Sequence, residues 1–353
     1  MKETYKEKIS LSPKPKDISD FDSSVESRWS LEIIKLMRPH QWTKNFFCLA
    51  GVIFGERLLE SQSILLSVLT VILFSAMASA VYIFNDIQDV ERDRRHPKKR
   101  FRPIASGKIC IKTALFIGIF LATFSLVGAF HLGLATLTCL LLYAVNNIFY
   151  SLHLKNVPLF DVSCIAFGFV LRLLAGIYAL GDIPTAWITL CTFFLTLFLG
   201  FAKRRSELLS LLNQTLNSEL QSDAKPQLEP HQTPLINRHY LKLFYQRGKA
   251  NKQRPVLAQY TLPFLDSLLN STATMTIMCY ALFTIASDKN PSLVITVPIV
   301  YYAVMHYKWM VTVLAIGEEP DQIVLQDQAI KISLLVWLVA YLAIVYFDIH
   351  LFV

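Results

Sequence analysis

This sequence predicts an all-α, polytopic membrane bundle of about nine spans. Three observations lead there. The chain is 54% hydrophobic and only 17% charged, with a mean hydropathy of +0.43, which is too apolar for an ordinary soluble domain. Apolar runs of roughly 20 residues recur along it, each long enough to cross a bilayer as a helix. The short alternating segments of a membrane β-barrel are absent from the sequence.

Residues 1–28 are polar and charged, with Pro13 and Pro15 and no apolar signal-peptide core. They are expected to form a disordered cytoplasmic tail. From Trp29 to Pro39, apolar and charged residues alternate at helical spacing. That pattern suits an interfacial helix leading into the membrane. One membrane domain then fills 29–353. Its apolar runs are 42–59, 64–88, 112–131, 133–152, 159–180, 184–202, 266–287, 291–310 and 331–350. Lys44 and Asn45 intrude on the first. The stretch 211–237 is rich in Gln, Asn and Pro and is expected to be a flexible cytoplasmic loop insertion.

Orientation follows from Lys and Arg. The connection 89–112 carries nine of them and 203–265 carries ten, whereas those near 56–63, 181–184 and 288–290 carry almost none. Basic loops face the cytoplasm, so the N-terminus and the 89–112 connection are expected inside a cell (inner) membrane. The formal charge of +8 then belongs to loops facing anionic lipid and substrate, and nucleic acid is not an expected partner. The six cysteines are scattered without ligand or redox spacing and read as small buried hydrophobes. The histidines show no ligand spacing either.

The chemistry concentrates where the second long run ends. Asn85, Asp86, Asp89 and Asp93 lie there, with Asn85, Asp89 and Asp93 at i, i+4 and i+8 on one helix face. Acidic residues are common at solvated helix ends, but the dipole at a helix C-terminus disfavours carboxylates. Four oxygen-bearing residues there need a compensating cation, and a hard divalent ion, Mg²⁺, suits them. Lys98, Lys99, Arg100 and Arg102 follow at once. Positive-inside topology alone accounts for basic residues in such a loop. Arg100 and Arg102, however, precede the turn-forming Pro103-Ile104-Ala105-Ser106-Gly107, and an ordered guanidinium is a good phosphate ligand.

Further along, Asp161 and Arg172 share one predicted span, about 16 Å apart along its axis. A charge so deep in an apolar run must be paired or face a wet cavity. The cavity is the reading favoured here, with a structural ion pair as its competitor. Tyr150 and Lys155 precede Asp161. Arg38 and Lys44 open the first run, and Lys203, Arg204, Arg205 and Glu207 close the sixth. For these two clusters, snorkelling at the interface is an equal alternative.

The Asn85-Asp86-x-x-Asp89-x-x-x-Asp93 pattern resembles the UbiA superfamily of intramembrane prenyltransferases, and the resemblance runs from Arg38 on. The chain departs from the second Asp-rich motif of most members. It has Tyr150-Ser-Leu-His-Leu-Lys155 and then Asp161. Together with Arg38-Pro-His-Gln-Trp-Thr-Lys44, His96-Pro-Lys-Lys-Arg100-Phe-Arg102 and Gly168-Phe-Val-Leu-Arg172, that departure is similar to the decaprenyl-phosphate phosphoribosyltransferase branch.

The resemblance implies a UbiA-like bundle around a central cavity open to the cytoplasm. It implies a Mg²⁺-dependent transfer of 5-phosphoribose from phosphoribosyl diphosphate to a polyprenyl phosphate in the bilayer. Asp86, Asp89 and Asp161 are then the expected catalytic residues, and Asn85, Asp86, Asp89 and Asp93 hold the metal. Arg38, Lys44, Lys98, Arg100, Arg102, Tyr150, Lys155, Arg172 and Lys203 are the expected substrate ligands, with Arg172 near the acceptor phosphate. Two alternatives stand beside this: transfer of a prenyl group to an aromatic or quinone precursor, and a non-enzymatic transporter. The acceptor's chain length and the oligomeric state, homo-oligomer included, stay open.

Overall fold

The computed structural model describes residues 29–221, 255–286, 289–315, 317, 323 and 326–352. Among them the regular structure is helical throughout. The expected tail, 1–28, lies outside the described residues, as do residues 222–237 of the expected insertion. Its first part, 211–221, is not loop: it continues a long helix to Gln221.

Helix α1 spans 29–37, where the interfacial helix was expected. It buries Leu36 against Ile83, Ile104, Ile109 and Ala114, while Trp29, Leu31 and Ile34 stay exposed. Next come a 3-10 segment, Pro39–Leu49, and the short α2, Ala50–Phe54. Then follow α3 (Ser61–Gln88), α4 (Val90–Arg95), α5 (Ile111–Leu132), α6 (Leu134–Leu152), α7 (Phe160–Ala179) and α8 (Ala186–Gln221). The chain closes with α9 (Leu262–Thr284), α10 (Val297–Thr312) and α11 (Gln328–Tyr346).

Each of the nine expected runs falls on helical structure, but among the described residues six helices are long and apolar enough to cross a membrane: α3, α5, α6, α7, α8 to Asn213, and α11. The physical reasons for the other three differ. Run 42–59 is split into the 3-10 segment and α2, and it carries the buried, hydrogen-bonded Asn45. Helix α9 has the length but is diluted by Asp266, Asn270, Ser271, Thr272, Thr274 and Thr276, most of whose hydroxyls turn back onto backbone carbonyls. Helix α10 has 16 residues, because Pro291–Thr296 before it is a 3-10 turn.

Helix α7 is the hub. Two-thirds of its apolar window is buried (67%), against 17% for α5 and 22% for α11, so α5 and α11 present their sides outward, where lipid would lie. Three apolar clusters meet on α7. Val162 and Ala166 join α8, α9 and α10. Leu171 and Ala175 join α3, α5 and α6. Leu173 and Ile177 join α2, α9 and α11. Small residues set the closest approach, as in other membrane packings. A side chain on Gly51 would lie 2.8 Å from the Gly176 carbonyl oxygen, and one on Gly176 would run into the Cys48 carbonyl. The segment 39–54 therefore lies flat on α7.

That approach sets a test. Gly176→Ala should lower stability by about 1–3 kcal/mol, read as a lower unfolding temperature in detergent. An unchanged temperature would contradict the packing.

Candidate active site

Helix α3 ends at Gln88, and Asp89 (φ −93°, ψ 6°) breaks it from α4. The hydrogen-bond ladder nevertheless passes through the break: Asp89 N–H donates to Asn85 O at 3.0 Å, and Asp93 N–H to Asp89 O at 2.8 Å. The expected i, i+4, i+8 relation of Asn85, Asp89 and Asp93 survives for this reason.

Asp86 and Asp93 are buried, at 4% and 2% exposure. The cation that the sequence demanded for them is supplied here by arginine. Arg38 Nη2 donates to Asp86 Oδ1 at 2.5 Å, and Arg102 Nη1 donates to the same oxygen at 3.0 Å. The same Arg102 nitrogen reaches Asp93 Oδ2 at 2.6 Å. One guanidinium thus bridges two buried carboxylates. Asp89 is more open and pairs with Arg92 at 3.3 Å.

Local folding puts both arginines in place. Arg102 opens a turn closed by Ser106 N–H to Arg102 O (2.9 Å) and Ile109 N–H to Pro103 O (3.1 Å), with Gly107 at φ +77°. Ile104 and Ile109 anchor this turn under α1. Arg38 stands between α1 and Pro39 with left-handed backbone (φ 54°, ψ 61°), a conformation that costs a non-glycine residue about 1 kcal/mol. Its guanidinium lies 5.1 Å from the Tyr82 ring centroid. Backbone strain held beside a buried ion pair is a mark of functional positions.

Do these residues suit a divalent metal? Among the described residues, no three His, Cys, Asp or Glu side chains converge as they would around a bound ion. The donor set is nonetheless hard oxygen throughout, and Asn85 Oδ1 is buried with no hydrogen-bond partner, an acceptor in want of a cation. Asn85, Asp86, Asp89 and Asp93 fit Mg²⁺ in chemistry.

Asp161, expected to be catalytic, is already saturated. Arg204 Nε donates to its Oδ2 at 2.6 Å, and the Tyr260 hydroxyl donates to its Oδ1 at 2.8 Å. Arg204 also holds Glu207 at 2.7 Å. The Tyr260 oxygen accepts from Leu159 N–H at 2.7 Å, where Leu159 turns at φ +68° into α7. Burial pushes the Tyr260 hydroxyl well above its ordinary range, so it stays a donor. Asp161 staples the start of α7 to α8 and to residue 260.

Arg172 corrects a second expectation. It is buried at 5%, but its partners are neutral. Nε donates to Asn45 Oδ1 (2.7 Å), Nη1 to Gly168 O (2.8 Å) and Nη2 to the Tyr143 hydroxyl (2.9 Å). The rings of Phe74, Tyr143 and Phe169 surround it at 4.6–5.6 Å. Among the described residues no carboxylate pairs with it. It tethers the 3-10 segment to α6 and α7 in an aromatic cage.

The remaining expected ligands are dispersed. Lys44 bonds Gln41 Oε1 at 2.7 Å. Lys98 and Arg100 are exposed, with Arg100 over the Phe101 ring. Lys155 sits in the turn Leu154–Asn156. Tyr150 is close enough to influence Arg204 electrostatically, and Lys203 precedes Arg204 on α8. Sequence reasoning missed Asn45, Tyr143 and Tyr260 as partners and weighed Arg204 equally as a site residue and as an interfacial snorkeller, not as the partner of Asp161. The one signal for Asn45 was its intrusion into an apolar run.

With the geometry in hand, residues 45–206 match the UbiA prenyltransferase family. Two relatives named decaprenyl-phosphate phosphoribosyltransferase are 28% identical to this chain. That of Corynebacterium glutamicum aligns over 89% of this chain and 86% of its own length, and that of Mycolicibacterium smegmatis over 90% and 93%. A solved UbiA homolog from Archaeoglobus fulgidus, bound to GPP and Mg²⁺, shares the fold with a TM-score of 0.61 and 18% identity, covering 89% of this chain and 99% of that one. The acid-arginine cluster thus sits in a fold shared with that homolog.

The Asp161 staple makes a prediction. Asp161→Asn should destabilise the protein by about 3–5 kcal/mol, because Arg204 is left buried against a neutral group. Tyr260→Phe should cost about 1–2 kcal/mol. Were Asp161 an open ligand, Asn would leave unfolding in detergent unchanged or delayed.

Proposed function

We propose that this protein transfers 5-phosphoribose from phosphoribosyl diphosphate to a polyprenyl phosphate, releasing diphosphate in a Mg²⁺-dependent reaction. What supports the choice of substrates is the near full-length likeness to relatives named for that activity. The geometry supports a phosphate-handling site: buried carboxylates and guanidiniums interleaved at one end of a membrane bundle.

In this reading Asn85, Asp86, Asp89 and Asp93 hold the metal, which when bound neutralises charge on the leaving diphosphate. Arg38 and Arg102 bind phosphate oxygens, and Lys44, Lys98, Arg100, Tyr150, Lys155 and Lys203 are further candidate ligands. The acceptor phosphate, largely dianionic at neutral pH with a second pKa of about 6, attacks the anomeric carbon. A new carbon–oxygen bond forms as the bond to diphosphate breaks, and no general base is needed. Asp161 and Arg172 act by position: one fixes the entry to α7, the other the segment between Arg38 and α2. The acceptor tail lies along the bundle in lipid, and the site opens to the cytoplasm.

The test is purified protein with labelled phosphoribosyl diphosphate, Mg²⁺ and a series of polyprenyl phosphates, read by mass spectrometry. The expected product is the polyprenyl phosphoribose phosphodiester. Turnover of a prenyl diphosphate with an aromatic acceptor, and none of phosphoribosyl diphosphate, would overturn the proposal in favour of an ordinary prenyltransferase. Asp89→Ala should cut turnover by two to three orders of magnitude, about 3–4 kcal/mol, with unfolding unchanged because Asp89 is only partly buried.

The orientation has its own test. Of the six cysteines Cys110 is the exposed one, and the Thr113 hydroxyl and N–H hold its thiol below the usual range, which favours reaction with maleimides. A membrane-impermeant maleimide should label Cys110 in inverted vesicles and not in intact cells. Labelling in intact cells would put the acid cluster on the outer face.

A further inference from the structure

The acid cluster already carries a full set of counter-ions, and they sit where a metal would have to go. Asp86, Asp89 and Asp93 are matched by Arg38, Arg92 and Arg102, three carboxylates against three guanidiniums. The central contact is one nitrogen: Arg102 Nη1 lies 3.0 Å from Asp86 Oδ1 and 2.6 Å from Asp93 Oδ2. That is the place of a cation bridging two carboxylates. A guanidinium does not deprotonate in a protein, so this occupant cannot be neutralised in place. It leaves only by moving.

Adding a divalent cation to a balanced cluster raises its charge by two. Both Asp86 and Asp93 are almost fully buried, so water does little to screen the excess. Metal entry alone is disfavoured, because it also strands the displaced guanidinium. A diphosphate alone is disfavoured as well, because it meets arginines already spent on carboxylates. Together the two ligands satisfy every group: the carboxylates and Asn85 Oδ1, unpartnered here, turn to the metal, and the guanidiniums turn to the phosphates. The rearrangement needs only side chains. The backbone of Arg102 is pinned by its turn and by Ile104 and Ile109, while its side chain is 29% exposed.

We propose that Arg102, assisted by Arg38, is an exchangeable internal counter-ion that couples metal binding to diphosphate binding, so that neither loads well without the other. This rests on the metal and donor assignment of the proposed function. It goes beyond that assignment in giving the arginines a role as counter-ions to the carboxylates and in a reciprocal coupling between ligands.

The experiment measures Mn²⁺ bound to the full-length protein in detergent, at buffered free Mn²⁺, with and without methylenediphosphonate as a non-hydrolysable probe. The wild type should bind Mn²⁺ weakly alone and at least tenfold more tightly with the probe. Arg102→Gln should bind Mn²⁺ alone about tenfold more tightly than wild type and lose most of the coupling. Equal wild-type affinity with and without the probe, or an Arg102→Gln protein that binds Mn²⁺ alone no better than wild type, would overturn the exchange. If Arg102→Gln fails to fold, Arg102→Lys carries the test. A point charge bridges two carboxylates less well, so its Mn²⁺ affinity without the probe should exceed that of wild type, and an equal or lower value overturns the proposal. Turnover is not read here, so the two readings separate. Coupling in a protein that transfers only prenyl groups refutes the donor alone. Phosphoribosyl transfer without coupling refutes the exchange alone. Absence of Mn²⁺ binding under all conditions refutes both.

Discussion

A single guanidinium nitrogen, set between two buried carboxylates, is the interaction on which the rest of this structure depends. Carboxylates at the C-terminal end of a helix oppose its dipole, and burying them raises the cost further. Asp86 lies in the last turn of α3, and both Asp86 and Asp93 are buried. They are tolerable because Arg102 and Arg38 reach them. The surrounding architecture delivers those two arginines: the 102–109 turn wedged under α1, and the left-handed residue between α1 and the 3-10 segment.

The membrane interior supports that cluster from below. Arg172 ties the 3-10 segment to α6 and α7 through neutral acceptors and rings, and Gly51 and Gly176 let the segment lie against α7. Asp161 does the same for the start of α7, through Arg204 and Tyr260. Two buried charges of one helix therefore serve as structural ties, one neutralised by an ion pair and the other solvated by dipoles and aromatic faces. One fixes the start of α7 against α8 and residue 260, the other fixes the 3-10 segment that follows Arg38.

The parts legible in the sequence are those encoded over short separations. The Asn85 to Asp93 spacing, the turn after Arg102 and the long apolar runs all depend on neighbours within a few turns. What was not legible depends on distant partners. Asn45 and Arg172 are 127 residues apart, and Tyr260 meets Leu159 across 101. No local pattern announces that a buried arginine will find a cage of neutral groups. Hydropathy likewise treats run 42–59 as a possible span, although Asn45, bound to Ser75 and Arg172, holds it as a 3-10 segment. The helix α8 runs on to Gln221, past the polar residues that marked a loop, because length and composition alone do not say where a helix stops without a Gly or Pro signal.

A structure of the protein with Mg²⁺ and phosphoribosyl diphosphate tests the counter-ion exchange most directly. The diphosphate is expected at the Asn85–Asp93 end, with the Arg102 guanidinium withdrawn from Asp86 and Asp93 onto phosphate oxygens. Donor bound elsewhere, or donor bound with Arg102 still bridging the two carboxylates, would contradict it.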